Sequence, residues 1–519
     1  MPLSISDIES LRAASTPLPT TISARVSSDS FKSPEAHSKP TSRELKGVFS
    51  EESRHFGGSA LRQSASTTGN HDLIALGTGR PTADYYPWNS ITFNGISPEF
   101  GNNVGTNSQT VNKLDDIYNL STALNYGYSA GSPPLVRFFT EHTEIVHDLP
   151  YSDWRVFLSC GSTAAFEVAF RIFCDRGDTL LTEEYTYPGA LEAAALIGIK
   201  SRGIPMDAQG PIPEELERVL STWDDLSSQS PKPKAFYTVP SGQNPTGATQ
   251  SLERKLAIYD IAERHNLIII EDDPYYFLRL GGDYRPSRTN EPAENGNKAG
   301  EGNSSSKFLA SLIPSYLSID RTGRVVRLDS TSKILAPGLR AGWVTASAQI
   351  INKFIAYQEV STIAVSGPSQ LMLWKLVEQS WGHEGFFKWL GSLSQRYCER
   401  LNILLKACNQ YLPKEICSWV SPDYGMFFWI KVDWHKHPLV QQNEQTNIRL
   451  QILDVEDRVV KAAFKDGVQV TKGSFFSVNK HNDGLHFRIT FAAASEKDLD
   501  AGVRIFANAL RKEFSLGSC

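Results

Sequence analysis

Ser330-Thr331-Ser332-Lys333-Ile334-Leu335-Ala336-Pro337-Gly338-Leu339-Arg340-Ala341-Gly342-Trp343 is the stretch around which the chain is organised. A lysine follows three hydroxyl residues in a row, and an arginine comes after a Pro-Gly turn. Largely apolar runs flank both ends, Val325–Leu328 before and Gly342–Val344 after. They read as two strands of one core. Lys333 is thereby expected on a loop held between rigid strands, where binding and catalytic residues gather.

The chemistry that fits this loop is that of pyridoxal phosphate. That cofactor needs a lysine amine for covalent attachment and donors for its phosphate. A lysine amine is a poor nucleophile at its free pKa of about 10.4, so burial or a nearby cation must activate it. Ser330 and Ser332 offer hydroxyls, and Arg340 offers a guanidinium that grips a phosphate with two bonds. The plainer reading of the same residues is a surface lysine in a loop.

Working outward, short apolar runs recur at Val156–Cys160, Thr179–Thr182, Ala235–Val239, Leu267–Glu271, Val325–Leu328 and Trp343–Thr345. Helical patterns such as Glu253–His265 lie between several of them. This alternation predicts an α/β domain with a mostly parallel sheet covered on both faces. The ligand of such a sheet sits at the carboxyl ends of its strands. Strands at Trp419-Val420, Met426–Val432 and Leu485–Thr490 predict a smaller α+β domain at the end. The expected divisions are a disordered leader (1–70), an N-terminal arm with part of the small domain (71–130), a large cofactor-binding domain (131–365) and a C-terminal small domain (366–519). The leader is rich in Ser, Thr and Pro, a composition that disfavours a packed core. A Gly/Asn/Ser/Glu/Lys-rich segment, 281–306, reads as a flexible insertion.

The chain has 519 residues and a net charge of −5. With no long basic run, nucleic acid is not an expected partner. No apolar run reaches the roughly 18 residues of a membrane span, and no secretory signal follows Met1. Six scattered cysteines without a Cys-x-x-Cys pair point to a reducing, cytoplasmic compartment and to no metal site.

Five further stretches carry chemistry. Gly161-Ser162-Thr163 sits between a strand and a helix, so its N–H groups and hydroxyls suit an anion; an ordinary helix cap is the alternative. Asn244-Pro245-Thr246-Gly247 makes a rigid turn that projects an amide. Glu271-Asp272-Asp273-Pro274-Tyr275-Tyr276 ends a buried strand with acids that suit a pyridine nitrogen. Arg488, inside an alternating strand, needs a carboxylate to pair it, from substrate or from the protein itself. Tyr187 offers a ring for stacking.

Taken in order, these motifs resemble the fold-type I pyridoxal phosphate aminotransferases, and most of all the fungal aromatic amino acid and the kynurenine/2-aminoadipate aminotransferases. Supporting stretches are Tyr126–Gly131, Tyr237-Thr238-Val239-Pro240, Trp381–Phe386 and Gly425–Trp429. The resemblance implies transamination between an amino acid, most of all an aromatic one, and a 2-oxo acid such as 2-oxoglutarate. It implies that Lys333 carries the cofactor and moves the α-proton. Asp273, preferred over its neighbours for its spacing to Tyr276, would pair the ring nitrogen. Asn244 and Tyr276 would bind the phenolic oxygen. Ser162, Thr163, Ser330, Ser332 and Arg340 would bind phosphate, and Tyr187 would stack on the ring. Arg488, near Gly79, would hold the substrate carboxylate. Tyr126 would come from the second subunit of a homodimer. Tyr85, Tyr86, Trp88, Tyr128, Phe427 and Phe428 would supply an aromatic pocket, with Arg80 a partner for a distal carboxylate. Other readings are a 2-aminoadipate, kynurenine or secondary-metabolism aminotransferase, another reaction on the same fold, or a cofactor-binding regulator.

Overall fold

The structure is a computed structural model and describes residues 2–16, 18, 27–61, 77, 79–98, 107–115, 117–224, 227, 229–281, 304–439, 448–479 and 484–517. Nearly all of the predicted insertion, the apolar run at 73–76 and parts of the predicted leader lie outside them.

The rest of the leader corrects the expectation of disorder. It forms short helices at Ile5–Ala14, Pro34–Ser38 and Glu51–Arg54. The serines that made it look disordered act as caps. Ser4, Ser27, Ser33 and Ser50 each accept a backbone N–H at a helix start. Its few apolar residues, Ile8, Leu45 and Val48, are buried in the common core. Ser33 Oγ donates to the buried Glu144 at 2.8 Å, Ser42 N–H donates to Asp153 at 2.6 Å, and Arg12 Nε donates to the buried Glu141 at 2.8 Å. The segment has no core of its own because it borrows one.

A protein beginning at His71 is therefore expected to be less stable, not merely shorter. Removing one partner of a buried ion pair costs about 3–5 kcal/mol, so Arg12 alone predicts a fall in Tm of about 3–5 °C in a chain of this length. An unchanged melting curve would show that the wrapping contributes nothing.

After the leader comes an antiparallel ribbon, β1 (Ser90–Gly95) and β2 (Asn107–Asn112), which the sequence reading missed. The large domain follows with β3 (Trp154–Ser159), β4 (Thr179–Glu183), β5 (Lys200–Ile204), a small ribbon β6 (Met206–Asp207) and β7 (Gly210–Pro211), β8 (Ala235–Thr238), β9 (Ile268–Asp272), β10 (Val325–Ser330) and β11 (Gly342–Ser347). Seven of these make one sheet in the order β3-β11-β10-β9-β8-β4-β5. All neighbours pair in parallel except β11, which runs against both β3 and β10. The carboxyl ends of β3, β4, β8, β9 and β10 thus meet at one edge, where β11 begins. The four central parallel strands are buried along their whole length, which is why they read as apolar runs rather than alternations.

The smaller domain is an antiparallel sheet, β12 (Cys417–Trp419), β13 (Phe427–Val432), β14 (Thr471–Lys472) and β15 (Leu485–Thr490), in the order β12-β13-β15-β14. The helix Gly382–Tyr411 runs 30 residues beside it. Gly367-Pro368 opens the helix Gly367–Trp374, with proline in the first turn where its missing N–H costs nothing. Among the described residues no helix is long and apolar enough to cross a membrane, and no cluster of three metal-ligating side chains occurs.

Candidate active site

The strand ends converge on a cavity of about 480 Å³ lined by residues of both domains. From the large domain come Ser162, Thr163, Tyr187, Asn244, Asp272, Tyr275, Ser330, Ser332, Lys333 and Arg340; Phe427 and Arg488 come from the smaller one.

Lys333 is half-buried on the turn after β10. Its pKa is lowered, first by burial and then by the positive charge of Arg488. Trp389, on the long helix, donates its indole N–H to the carbonyl of the next residue, Ile334, at 2.6 Å. The Lys333 loop is thus pinned from the smaller domain.

At one end of the cavity, Gly161 precedes the helix Ser162–Phe173 with φ +89°. Only glycine fits there: a Cβ would come within 2.7 Å of the Arg340 guanidinium. Helix N–H groups, the Ser162 and Thr163 hydroxyls and Arg340 therefore face the same space. Arg340 donates to the carbonyls of Pro337 (3.0 Å) and Cys160 (3.2 Å), and Ser330 Oγ donates to Ser332 Oγ at 3.0 Å. Among the described residues no carboxylate neutralises this set, so a dianionic phosphate suits it.

Arg488 sits on β15 beside the mouth. It donates to Asn244 Oδ1 at 2.7 Å, and its guanidinium lies over the rings of Phe427 (4.6 Å) and Phe476 (4.8 Å). Among the described residues no carboxylate side chain pairs it, and its Nε is buried without a partner. The pairing expected of a buried arginine is left to a ligand.

Two expectations are corrected. Asp273 and Tyr276 do not face the cavity; Asp272 and Tyr275 do. Asp273 turns to the opposite side of the sheet, where Ser241 donates to it at 3.0 Å and Arg327 at 3.3 Å. There Arg327 also pairs with Glu271 (3.1 Å) and Asp329 (2.9 Å), and stacks on Tyr276 at 4.5 Å. Tyr276 donates its hydroxyl to the Ile313 carbonyl at 2.9 Å. Successive residues of a strand point to opposite faces, so a slip of one residue exchanges the sides. The run Ile268-Ile269-Ile270 is apolar on both faces and gives no alternation from which to phase the acids that follow.

Asp272 Oδ2 accepts a hydrogen bond from Tyr237 at 2.7 Å, while its Oδ1 is buried with no partner. Burial pushes its carboxyl up to about 7, against the pull of Tyr237. A protonated ring nitrogen at Oδ1 would satisfy the orphaned oxygen and restore the ordinary carboxylate state. Lysine at one wall, the phosphate cradle at one end and this lone acceptor together fit pyridoxal phosphate.

Other expected residues lie elsewhere. Gly79 is exposed and off the cavity, as are Tyr85 and Trp88, and neither Arg80 nor Tyr86 lines it. Phe428 is wholly buried in the core. Tyr126 is half exposed and lines a separate concavity with Tyr128 and Ile363. The reading missed Phe166, Tyr237 and Met426 as lining residues; Tyr237 lay within a stretch already singled out.

Comparison with known proteins agrees with this geometry. The family model for aminotransferase class I and II matches residues 100–506. The aminotransferase swnA of Arthroderma benhamiae is 45% identical over 467 residues, covering 90% of this chain and 91% of its own. An aromatic amino acid aminotransferase of Schizosaccharomyces pombe is 36% identical, covering 86% of this chain and 92% of its own. The crystal structure of aminotransferase Aro8 from Candida albicans superposes with a TM-score of 0.82 at 35% identity, over 92% of this chain and all of that one. With a lysine, a phosphate cradle and a carboxylate arranged for the cofactor, and likeness along nearly its whole length, the chain belongs to the class I and II aminotransferases, pyridoxal phosphate enzymes of fold type I that move an amino group between an amino acid and a 2-oxo acid.

Proposed function

We propose that this aminotransferase takes an aromatic amino acid as donor and a 2-oxo acid such as 2-oxoglutarate as acceptor. The observation that carries the reading is the setting of Arg488. A guanidinium without a carboxylate partner lies between the rings of Phe427 and Phe476, and Phe427 itself lines the cavity that Lys333 enters. A carboxylate held there places a flat side chain among further rings, each stacked pair giving about 0.5–1.5 kcal/mol beyond the area buried. The name of the fission-yeast relative supports the same substrate class.

Pyridoxal phosphate, when bound, supplies the electron sink that makes the α-hydrogen acidic. The residues do the rest. Arg488 grips the α-carboxylate and orients the α-carbon. Lys333 holds the cofactor, then accepts the α-proton at Nζ and returns it on the other side of the reaction. The lowered pKa of its amine favours the neutral form that this task needs. Asp272 would pair the ring nitrogen, Asn244 and Tyr275 would bind the phenolic oxygen, and Tyr187 would stack on the ring. Ser162, Thr163, Ser330, Ser332 and Arg340 would hold phosphate.

The working unit in this reading is a homodimer, with the exposed Tyr126 reaching the neighbour's cavity. Its compartment is the cytoplasm, in keeping with five described cysteines that are all free thiols.

The test is a panel of donors with 2-oxoglutarate. Phenylalanine, tyrosine and tryptophan are expected to give the highest kcat/KM. The panel includes 2-aminoadipate, kynurenine, aspartate and alanine. A clear preference for aspartate or alanine would overturn the aromatic reading and leave the chemistry standing.

A further inference from the structure

Tyr237 has no cofactor- or substrate-binding role in the reading above, yet it is wholly buried at the wall of the cavity. It lies on β8. Phe166 and Phe170, both on the helix that opens with Ser162 and Thr163, pack edge-on to its ring at 5.9 and 5.7 Å. Its hydroxyl donates to Asp272 Oδ2 at 2.7 Å. The other oxygen of that carboxylate has no partner, and Asp272 lines the cavity. A carboxyl group turns about its terminal bond through a broad, roughly two-fold range of angles. One oxygen tied down from behind fixes where the other points.

We propose that Tyr237 is a positioning residue for the transamination: its hydroxyl holds Asp272 in the single orientation that presents Oδ1 to the ring nitrogen of the cofactor. The proposal rests on the reading of Asp272 as the partner of that nitrogen. Its geometry is closed on the far side as well. The Tyr237 ring cannot move away without displacing Phe166 and Phe170, so the bond is braced by the same helix that offers its N-terminus to phosphate.

The charged and titratable groups around Asp272 come from every neighbouring strand. Besides Tyr237 on β8 they are Glu183 on β4, Arg327 and Asp329 on β10, and Tyr275 just beyond β9. Glu183 is held by Thr238 (2.6 Å) and Gln243 (2.7 Å), and burial pushes it up to about 8. Burial favours the protonated form of Asp272, and the Tyr237 hydroxyl acts most strongly against it. The carboxylate is present above its pKa. Loss of the hydroxyl raises that pKa, so the carboxylate state then requires a higher pH.

Tyr237→Phe keeps the ring and removes only the donor. Titrating the apoenzyme with pyridoxal phosphate is expected to show about tenfold weaker binding, the effect of one hydrogen bond to a charged group. The acid limb of the kcat/KM profile is expected to move up by about one pH unit. In an Asp272→Asn background the same substitution should change cofactor affinity no further, because the two act as one unit. Unchanged affinity and profile in Tyr237→Phe would reduce the residue to core packing and overturn the proposal. An undiminished loss in the Asp272→Asn background would also overturn it, since Tyr237 would then act without Asp272. If Asp272→Asn by itself leaves cofactor affinity and turnover intact, the reading of Asp272 fails and the proposal falls with it.

Discussion

Lys333→Ala is expected to lower kcat by at least about 10²–10⁴-fold, the range that one positioned acid–base group contributes. Among the described residues it is the only lysine lining the cavity. The substitution removes both the anchor of the cofactor and the amine that carries the α-proton, and no other described side chain at the cavity can do both. A guanidinium holds its proton too firmly to serve as the base. Tyr275 is pushed far up by burial and cannot act as a base near neutrality. Borohydride reduction of the wild-type enzyme followed by peptide mapping should place the cofactor on the peptide containing Lys333. Label on another lysine, or a folded alanine variant with near-normal turnover, would sink the assignment.

Asp272→Asn should cost nearly as much. Truncating a buried charge pair loses about 2–5 kcal/mol, and an amide cannot keep a ring nitrogen protonated. Turnover is expected to drop by about 30- to 4,000-fold. Asp273→Asn is the informative control. That residue shares Arg327 with Glu271 and Asp329 on the other face. Its loss is expected to lower Tm while kcat falls less than about tenfold, because the damage is to a buried ion cluster and not to the reacting groups. The reverse outcome, with Asp273→Asn inactive at an unchanged Tm, would restore the pairing that sequence spacing alone favours.

Those two aspartates mark the boundary of what was legible. The parallel core read well because strands buried on both faces must be apolar throughout, and Val325–Leu328 and Leu267–Glu271 announced themselves that way. The loop residues after each strand read well too, because chemistry at the carboxyl ends of a parallel sheet draws on whatever follows the strand. Lys333, Arg340 and Asn244 were placed by this logic, Arg488 by its place inside an alternating strand, and all four line the cavity. Phase is a different matter. A strand apolar on both faces carries no period, so nothing local says which of two adjacent acids looks into the site. The leader failed for another reason. Composition reports whether a segment can make its own core, and Ser33, Ser42 and Ser50 instead dock on one already built. Tyr126 belongs to neither case, for its proposed site lies on a second chain.

The cavity also has a history in time. Arg340, the last residue of the phosphate cradle, and Arg488 both line it, yet nearly 150 residues of chain lie between them. At synthesis rates of about 5–20 residues per second, roughly 7–30 s separate the completion of the phosphate cradle from the appearance of the carboxylate grip. A nascent chain therefore owns a nearly finished cofactor seat well before it can hold a substrate. Cofactor present during synthesis would meet a partner ready to be stabilised by it, whereas substrate would meet none until the last strand pairs.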